Sequence, residues 1–282
     1  MTEGKAAPAA AAETDSRNLS TRIIAAAVLI PLAIAIAYAG GWLWTSLVTL
    51  AAIGLYVEWL MVIGQVADRR VVVSGVVALA LAGLCLAIGR IDAALALLGV
   101  GLVAVALITP AQRNWSALGF LYAAVAELAS VLLRIDPVKG FAALVFVLVI
   151  VWVTDSGGYF AGRGIGGPKL WPRVSPKKTW AGAVGGFVAS LAVAGAFAVL
   201  DLGKAGPLLM ISGVLSVVSQ LGDLFESAVK RRFGVKDSSQ IIPGHGGLLD
   251  RLDGFVAAVA MAALFGFLRG GADGVGRGLM VW

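Results

Sequence analysis

Between Ser219 and Gly254 the chain reads SQLGDLFESAVKRRFGVKDSSQIIPGHGGLLDRLDG, a polar block set between two strongly apolar segments. Only 13% of the 282 residues are charged, and the single histidine, His245, falls in this block. If the preceding segment continues as a helix past Gly222, Asp223, Ser227 and Lys230 stand at i, i+4 and i+7 on one face, with Glu226 and Arg231 beside them. Asp250 and Asp253 lie three apart at the start of the next apolar run, again on one face, with Arg251 between them in sequence and Gly254 permitting close approach. Carboxylates from two neighbouring helices suit a hard cation, because Mg²⁺ is usually held by one or two carboxylates together with substrate phosphates and water. The competing reading is salt bridging to the nearby lysines and arginines. His245 sits in a Pro243-Gly244-His245-Gly246-Gly247 turn with no second histidine to share a zinc ion, so it either bonds a phosphate or places the loop.

A second polar stretch, TDSGGYFAGRGIGGPKLWPRVSPKKTWAG, precedes Ala183. Its GRGIGG run at 162 to 167 has the spelling of a dinucleotide fingerprint, but Pro168 follows where a helix would have to open, which leaves a flexible glycine hinge. In Ser175-Pro176-Lys177-Lys178-Thr179, serine is a good N-cap and proline is favoured at the first helical position, so a helix is expected to begin here. A helix N-terminus flanked by two lysines is a ready anion site, and a positively charged membrane anchor is the blander alternative.

The elements that must position these residues are membrane helices. Hydrophobic residues make up 60% of the chain and mean hydropathy is +0.94, well outside the range of a soluble globule. The apolar runs are about 20 residues long, as helices crossing a core of about 30 Å require. The expected fold is an all-α integral membrane protein of about nine spans, near 22–39, 42–63, 71–89, 91–109, 115–133, 140–156, 181–200, 206–224 and 248–268. The turns after the third and fourth runs are short enough to leave a re-entrant hairpin open. Residues 1–21 read as a disordered tail rather than a cleaved signal, residues 22–282 as one polytopic domain, and its 140–268 part as the carrier of the site.

With a cytoplasmic N-terminus, fifteen of the 22 lysines and arginines fall on the cytoplasmic side and six on the other, with Arg251 at the mouth of the last span. Both polar loops then face the cytoplasm. The net charge of +6 belongs to such loops and to acidic ligands, and no nucleic-acid module is present. Cys85 lies in an apolar run and reads as a small core residue. Glu58 and Glu127 lie inside apolar spans, where charge is costly, and read as structural or as lining a polar cavity. Trp42, Trp44, Trp171 and Trp180, near span ends, read as interfacial belts.

The residues Ser227, Lys230-Arg231, Lys236-Asp237, Pro243, His245-Gly246-Gly247, Asp250-Arg251 and Asp253 resemble, with the same spacing, the signature of the phosphatidate cytidylyltransferase (CDP-diglyceride synthase) family. Gly222-Asp223-Leu224 and Glu226 extend the likeness upstream, and Asp155 and Ser175 to Thr179 look like that family's other cytoplasmic motif. The likeness covers the C-terminal half. It departs at Ala181, where members often carry Glu or Gln before the glycine, and at Gly158, where many have alanine.

The resemblance implies transfer of CMP from CTP to phosphatidate, with Mg²⁺ as cofactor, a second metal ion left open, and a homodimer in the cytoplasmic (inner) membrane. Carried onto this sequence, it implies Asp223, Lys230, Arg231, Asp250 and Arg251 as catalytic residues. Ser175, Lys177, Lys178, Thr179, Ser227, Lys236, His245, Gly246 and Gly247 would bind substrate, and Asp223, Asp250, Glu226 and Asp253 the metal. A CTP-dependent lipid kinase would need a base for its lipid hydroxyl. A transporter would show internal repeats and charges near the midplane, whereas no repeat is present and the charges cluster at one surface. A CDP-alcohol phosphotransferase would continue from Asp253-Gly254 into an Asp-Gly-x-x-Ala-Arg run, which it does not.

Overall fold

The computed structural model describes residues 31–239 and 246–282. The expected tail, the first part of the first expected span and His245 lie outside the described residues; residues 31–39 are helical. Among the described residues, eight helices are long and apolar enough to cross a membrane. They are α1 (Gly41–Val62), α2 (Arg69–Ala87), α3 (Ile91–Ile108), α4 (Arg113–Ile135), α5 (Gly140–Gly164), α6 (Trp180–Val199), α7 (Ala205–Arg232) and α8 (Leu249–Gly270). The protein is therefore a multi-pass, all-helical membrane protein. Because α2 and α3 are 19 and 18 residues long, the short turns around them join full-length helices and not re-entrant hairpins.

The main differences from the expected spans are at two helix ends. α5 runs on to Gly164 and α7 to Arg232, each carrying polar residues beyond its apolar stretch. A third difference corrects the expectation for Ser175 to Thr179. This segment is strand β2 (Ser175–Thr179), paired antiparallel with β1 (Lys169–Trp171), and α6 starts only at Trp180. The cap is Thr179, whose hydroxyl accepts a hydrogen bond from the Gly182 amide at 3.1 Å. Pro176 is tolerated because a two-stranded ribbon consists of edges, where a missing amide donor costs little.

α8 is the hub, packing against α7, α4, α5 and α1. Small residues allow its backbone to approach α7: a Cβ on Gly222 would fall 2.8 Å from the Asp253 carbonyl oxygen, and one on Gly254 3.1 Å from that of Ser219. The close approach expected at Gly254 is thus present. A similar seam joins α5 and α6, where a Cβ on Gly186 would lie 2.5 Å from the Thr154 carbonyl oxygen.

At the opposite end of the bundle, a short helix unforeseen in the sequence, α9 (Val275–Met280), folds back onto α8 and α5. Asp136 holds it there. Its carboxylate accepts from the amides of Val138 (2.8 Å), Lys139 (3.1 Å) and Arg277 (2.8 Å) and from the Arg277 Nε (2.9 Å). Burial pushes this carboxyl up, but the three amides and the guanidinium outweigh burial and hold it below the ordinary aspartate value. Trp42, Trp171 and Trp180 are exposed, as a belt requires, whereas Trp44 is buried and donates from Nε1 to the Ser130 carbonyl at 3.1 Å. Trp44 is therefore a packing residue, which corrects its reading as an interfacial one.

Candidate active site

α7 continues as helix through the whole polar stretch, so its charged residues form the expected stripe. The Ser227 hydroxyl lies 3.4 Å from Asp223 Oδ1, one turn away. The next turn brings Lys230 to Glu226, with Nζ 2.8 Å from Oε2. Lys230 also reaches across to α8, donating to Asp250 Oδ1 at 2.6 Å. Both partners of Lys230 are nearly enclosed, and such pairs gain from the low surrounding dielectric only when their remaining oxygens are satisfied. Asp250 meets that condition: its carboxylate accepts from the Gly247 amide at 3.0 Å and from the Ser238 amide at 3.2 Å.

Asp253, three residues on, turns towards a different group. It is in electrostatic contact with Asp223 of α7, Asp155 of α5 and Lys178 of β2. Lys178 pairs directly with Asp223 Oδ2. Three helices and the hairpin thus bring three carboxylates and one ammonium together, and Lys178 offsets the repulsion among the acids. Lys178 is half-buried against α7, while Lys177 is exposed.

The remaining sequence candidates are spread out. Ser175 is half-buried in β2, and Thr179 is buried as the α6 cap. Arg231 is exposed and donates to the Val235 carbonyl at 3.1 Å, closing the end of α7 rather than joining the cluster. Lys236 is exposed. Gly246 has φ of 82°, a left-handed backbone that favours glycine. Gly247 donates its amide to Asp250, as above.

Arg251 and Asp155 line the charged end of an otherwise apolar cavity of about 540 Å³. Its walls come from α1, α4, α5 and α8 and from Ala33 and Ile34 of the helical segment before α1, with Trp44, Leu55, Val151 and Phe255 among them. It runs from the level of the polar cluster into the bundle.

Among the described residues, no three Asp, Glu, His or Cys side chains form a ready-made metal cage. The donor chemistry still fits a hard cation completed by substrate oxygens. Asp155, Asp223 and Asp253 are near enough to repel one another electrostatically, and Glu226 Oε1 is buried with no hydrogen-bond partner.

Two site residues escaped derivation from the pattern. Asp155 entered only through the resemblance, although an acid at the end of an apolar run was a usable signal. Glu58 was noted as a carboxylate inside a span, but its partners are 180 to 191 positions away: Ser238, Ser239, Leu248 and Leu249. Glu127, the other intramembrane acid, accepts from the Thr49 hydroxyl at 2.7 Å.

The model of the cytidylyltransferase family matches residues 20–268. A phosphatidate cytidylyltransferase of Brucella suis biovar 1 (strain 1330) is 43% identical over 264 residues, covering 88% of this chain and 93% of that protein. The enzyme of the same name from Haemophilus influenzae is 46% identical over 139 residues, 47% of this chain and 48% of that one. The one from Bacillus subtilis (strain 168) is 49% identical over 122 residues, 42% of this chain and 44% of the relative.

Proposed function

We infer the reaction from the cytidylyltransferase family, to which this chain belongs: it transfers the CMP moiety of CTP to phosphatidate, giving CDP-diacylglycerol and pyrophosphate. The observation that carries the reading is the junction of two environments. An apolar cavity inside a membrane bundle ends at Asp155 and Arg251, beside the polar cluster of α7, α8 and β2. A diacyl lipid with an anionic head group needs both.

Acyl chain would lie against Val151 and Phe255, leaving the lipid phosphate at the level of Arg251. A phosphate monoester has a second pKa of about 6, so it is largely ionised at neutral pH and needs no protein base to attack. One of its oxygens bonds to the α-phosphorus of CTP as the bond from that phosphorus to the β-bridging oxygen breaks, and pyrophosphate leaves with those electrons. Lys178, Lys230 and Arg251 supply positive charge for the phosphates in a partly enclosed site, where such contacts are stronger than in water. For Lys178 and Lys230 this means exchanging the carboxylates they now hold for phosphate oxygens.

We propose Mg²⁺ as the cofactor, held by Asp223 with the α8 carboxylates Asp253 and Asp250. When bound, it would neutralise phosphate charge and stabilise the leaving pyrophosphate. Glu226, ion-paired with Lys230, is placed to orient that lysine. We also propose that the hairpin end of the bundle faces the cytoplasm, that the bilayer is the inner membrane, and that the enzyme works as a homodimer.

The test uses purified protein in detergent with phosphatidate and CTP labelled at the α- or γ-phosphate. Label from the α position should enter the lipid, with β and γ leaving together as pyrophosphate. Label from the γ position in the lipid, with none from α, would instead identify a kinase.

A further inference from the structure

Glu58 is wholly buried on α1, outside the C-terminal motifs that carry the charged residues of the site. Oε1 accepts from the Ser239 hydroxyl at 2.7 Å and the Leu248 amide at 2.8 Å; Oε2 accepts from the Ser238 hydroxyl at 2.9 Å and the Leu249 amide at 2.7 Å. The four donors come from both ends of the connection between α7 and α8. Two of them are amides at the start of α8, where no side chain of α8's own N-cap residue makes a capping bond. A carboxylate from another helix therefore performs the capping, with the helix dipole favouring negative charge there.

Gly247 explains itself in the same way. A Cβ at this position would lie 2.5 Å from Glu58 Oε2 and would overlap the Ser238 hydroxyl. The second glycine of the His-Gly-Gly run is small because this clamp passes beside it. On the other side of the same turn, Asp250 accepts from the amides of Ser238 and Gly247 and holds Lys230. The connection is thus gripped by one carboxylate from α1 and one from α8.

We infer that Glu58 is a positioning residue for cytidylyl transfer: by binding both ends of the connection it sets the start of α8, with Asp250 and Arg251, and through Asp250 it sets Lys230, in the places the reaction requires. This rests on the reading of Asp250, Lys230 and Arg251 as catalytic groups. It assigns no contact between Glu58 and substrate.

The test compares Glu58→Gln, Glu58→Ala and, as a milder perturbation, Ser238→Ala with the wild-type protein, by hydrogen exchange of peptides spanning 236–250 and by steady-state kinetics. Exchange should rise in 236–250 and stay unchanged in peptides of α3 and α6. kcat should fall about 10- to 100-fold in Glu58→Gln, as is usual when a group orienting a reactive one is altered, and further in Glu58→Ala, with KM for CTP shifting much less. Ser238→Ala should show the same pattern in smaller degree, which covers the case of a Glu58 variant that does not fold. Unchanged exchange in 236–250, or exchange raised equally throughout the bundle by Ser238→Ala and Glu58→Gln, would overturn the inference. If 236–250 loosens selectively while kcat is unaffected, the clamp exists but does not position the reaction, and the inference again fails. Failure of the cytidylyltransferase reading itself would show separately, as a wild-type protein that moves no α-label into lipid.

Discussion

Lys178 of the β-hairpin is paired with Asp223 of α7, whereas its neighbour Lys177 points to solvent. Two adjacent lysines with the same charge therefore have different surroundings. Lys178→Ala should lower kcat/KM for CTP by about 10²–10³, the usual loss for one well-placed electrostatic contact. Lys177→Ala should change it by less than a factor of about 3, because an exposed charge is strongly screened. Steady-state kinetics on the two variants decides; equal losses would mean that the hairpin acts only through its net charge.

Asp223→Asn and Asp250→Asn should each reduce turnover by about 10²–10³ while the protein still inserts into membranes. Together they should cost far less than the product of the single effects, since groups acting as a unit are not additive. A Mg²⁺ titration of each variant provides the check. Near wild-type rates across the titration would remove that residue from the site.

A bulky residue at Ala51, which lines the apolar cavity, should discriminate between lipids by length. Ala51→Phe is expected to raise KM for long-chain phosphatidate by about 5- to 150-fold and to leave short-chain substrate and CTP nearly unaffected, as a change of pocket size commonly alters binding by about 1–3 kcal/mol. Equal KM values for all chain lengths would place the acyl chains elsewhere.

Orientation is tested with single cysteines in a Cys85→Ala background. Lys169→Cys, on β1, should react with a thiol reagent supplied from the cytoplasm and be shielded from an impermeant external one, and Lys204→Cys, at the opposite end of α6 and α7, should do the reverse. External labelling at position 169 would invert the proposed topology.

Asp136 provides a prediction in pH. Its carboxyl is held below the ordinary value, despite burial, by the Arg277, Lys139 and Val138 amides and the Arg277 guanidinium. A depressed folded value means that the stabilisation is complete above the unfolded value of about 3.9 and is lost as pH falls through the lower folded value. Asp136→Asn should therefore cost about 1–3 kcal/mol at neutral pH, where hydrogen bonds to a charged group are lost. Thermal midpoints of variant and wild type should converge in acid. A gap that persists through strong acid would show that the ionised form is not what holds α9.

The long helices were legible because twenty apolar residues in succession leave one physical solution in a bilayer. The stripe Asp223, Ser227, Lys230 was legible for a similar reason, since helical spacing alone puts those residues on one face. The hairpin was not. Ser175-Pro176 has the local chemistry of a helix start, and only pairing with Lys169–Trp171, a nonlocal contact, makes it a strand. The split between Asp250 and Asp253 was hidden too: both lie on the same side of α8, but one meets Lys230 and backbone amides while the other meets Asp223 and Asp155. Partners of that kind depend on how helices pack, and a single chain's periodicity carries no record of them. Trp44 failed for the same reason, its partner Ser130 lying 86 residues on.

The cavity's walls belong partly to α1 and α4 and partly to α5 and α8. The recognisable motifs begin only after α4, yet the cleft they serve is closed by helices from before it. A fragment starting at Gly140 would keep Asp155, Lys178, Asp223, Lys230, Asp250 and Asp253 but have an open-sided cleft and no Glu58 beneath the start of α8. Such a fragment should be inert when expressed alone, and turnover should return only on co-expression with residues 1–139, by complementation of two pieces into one bundle.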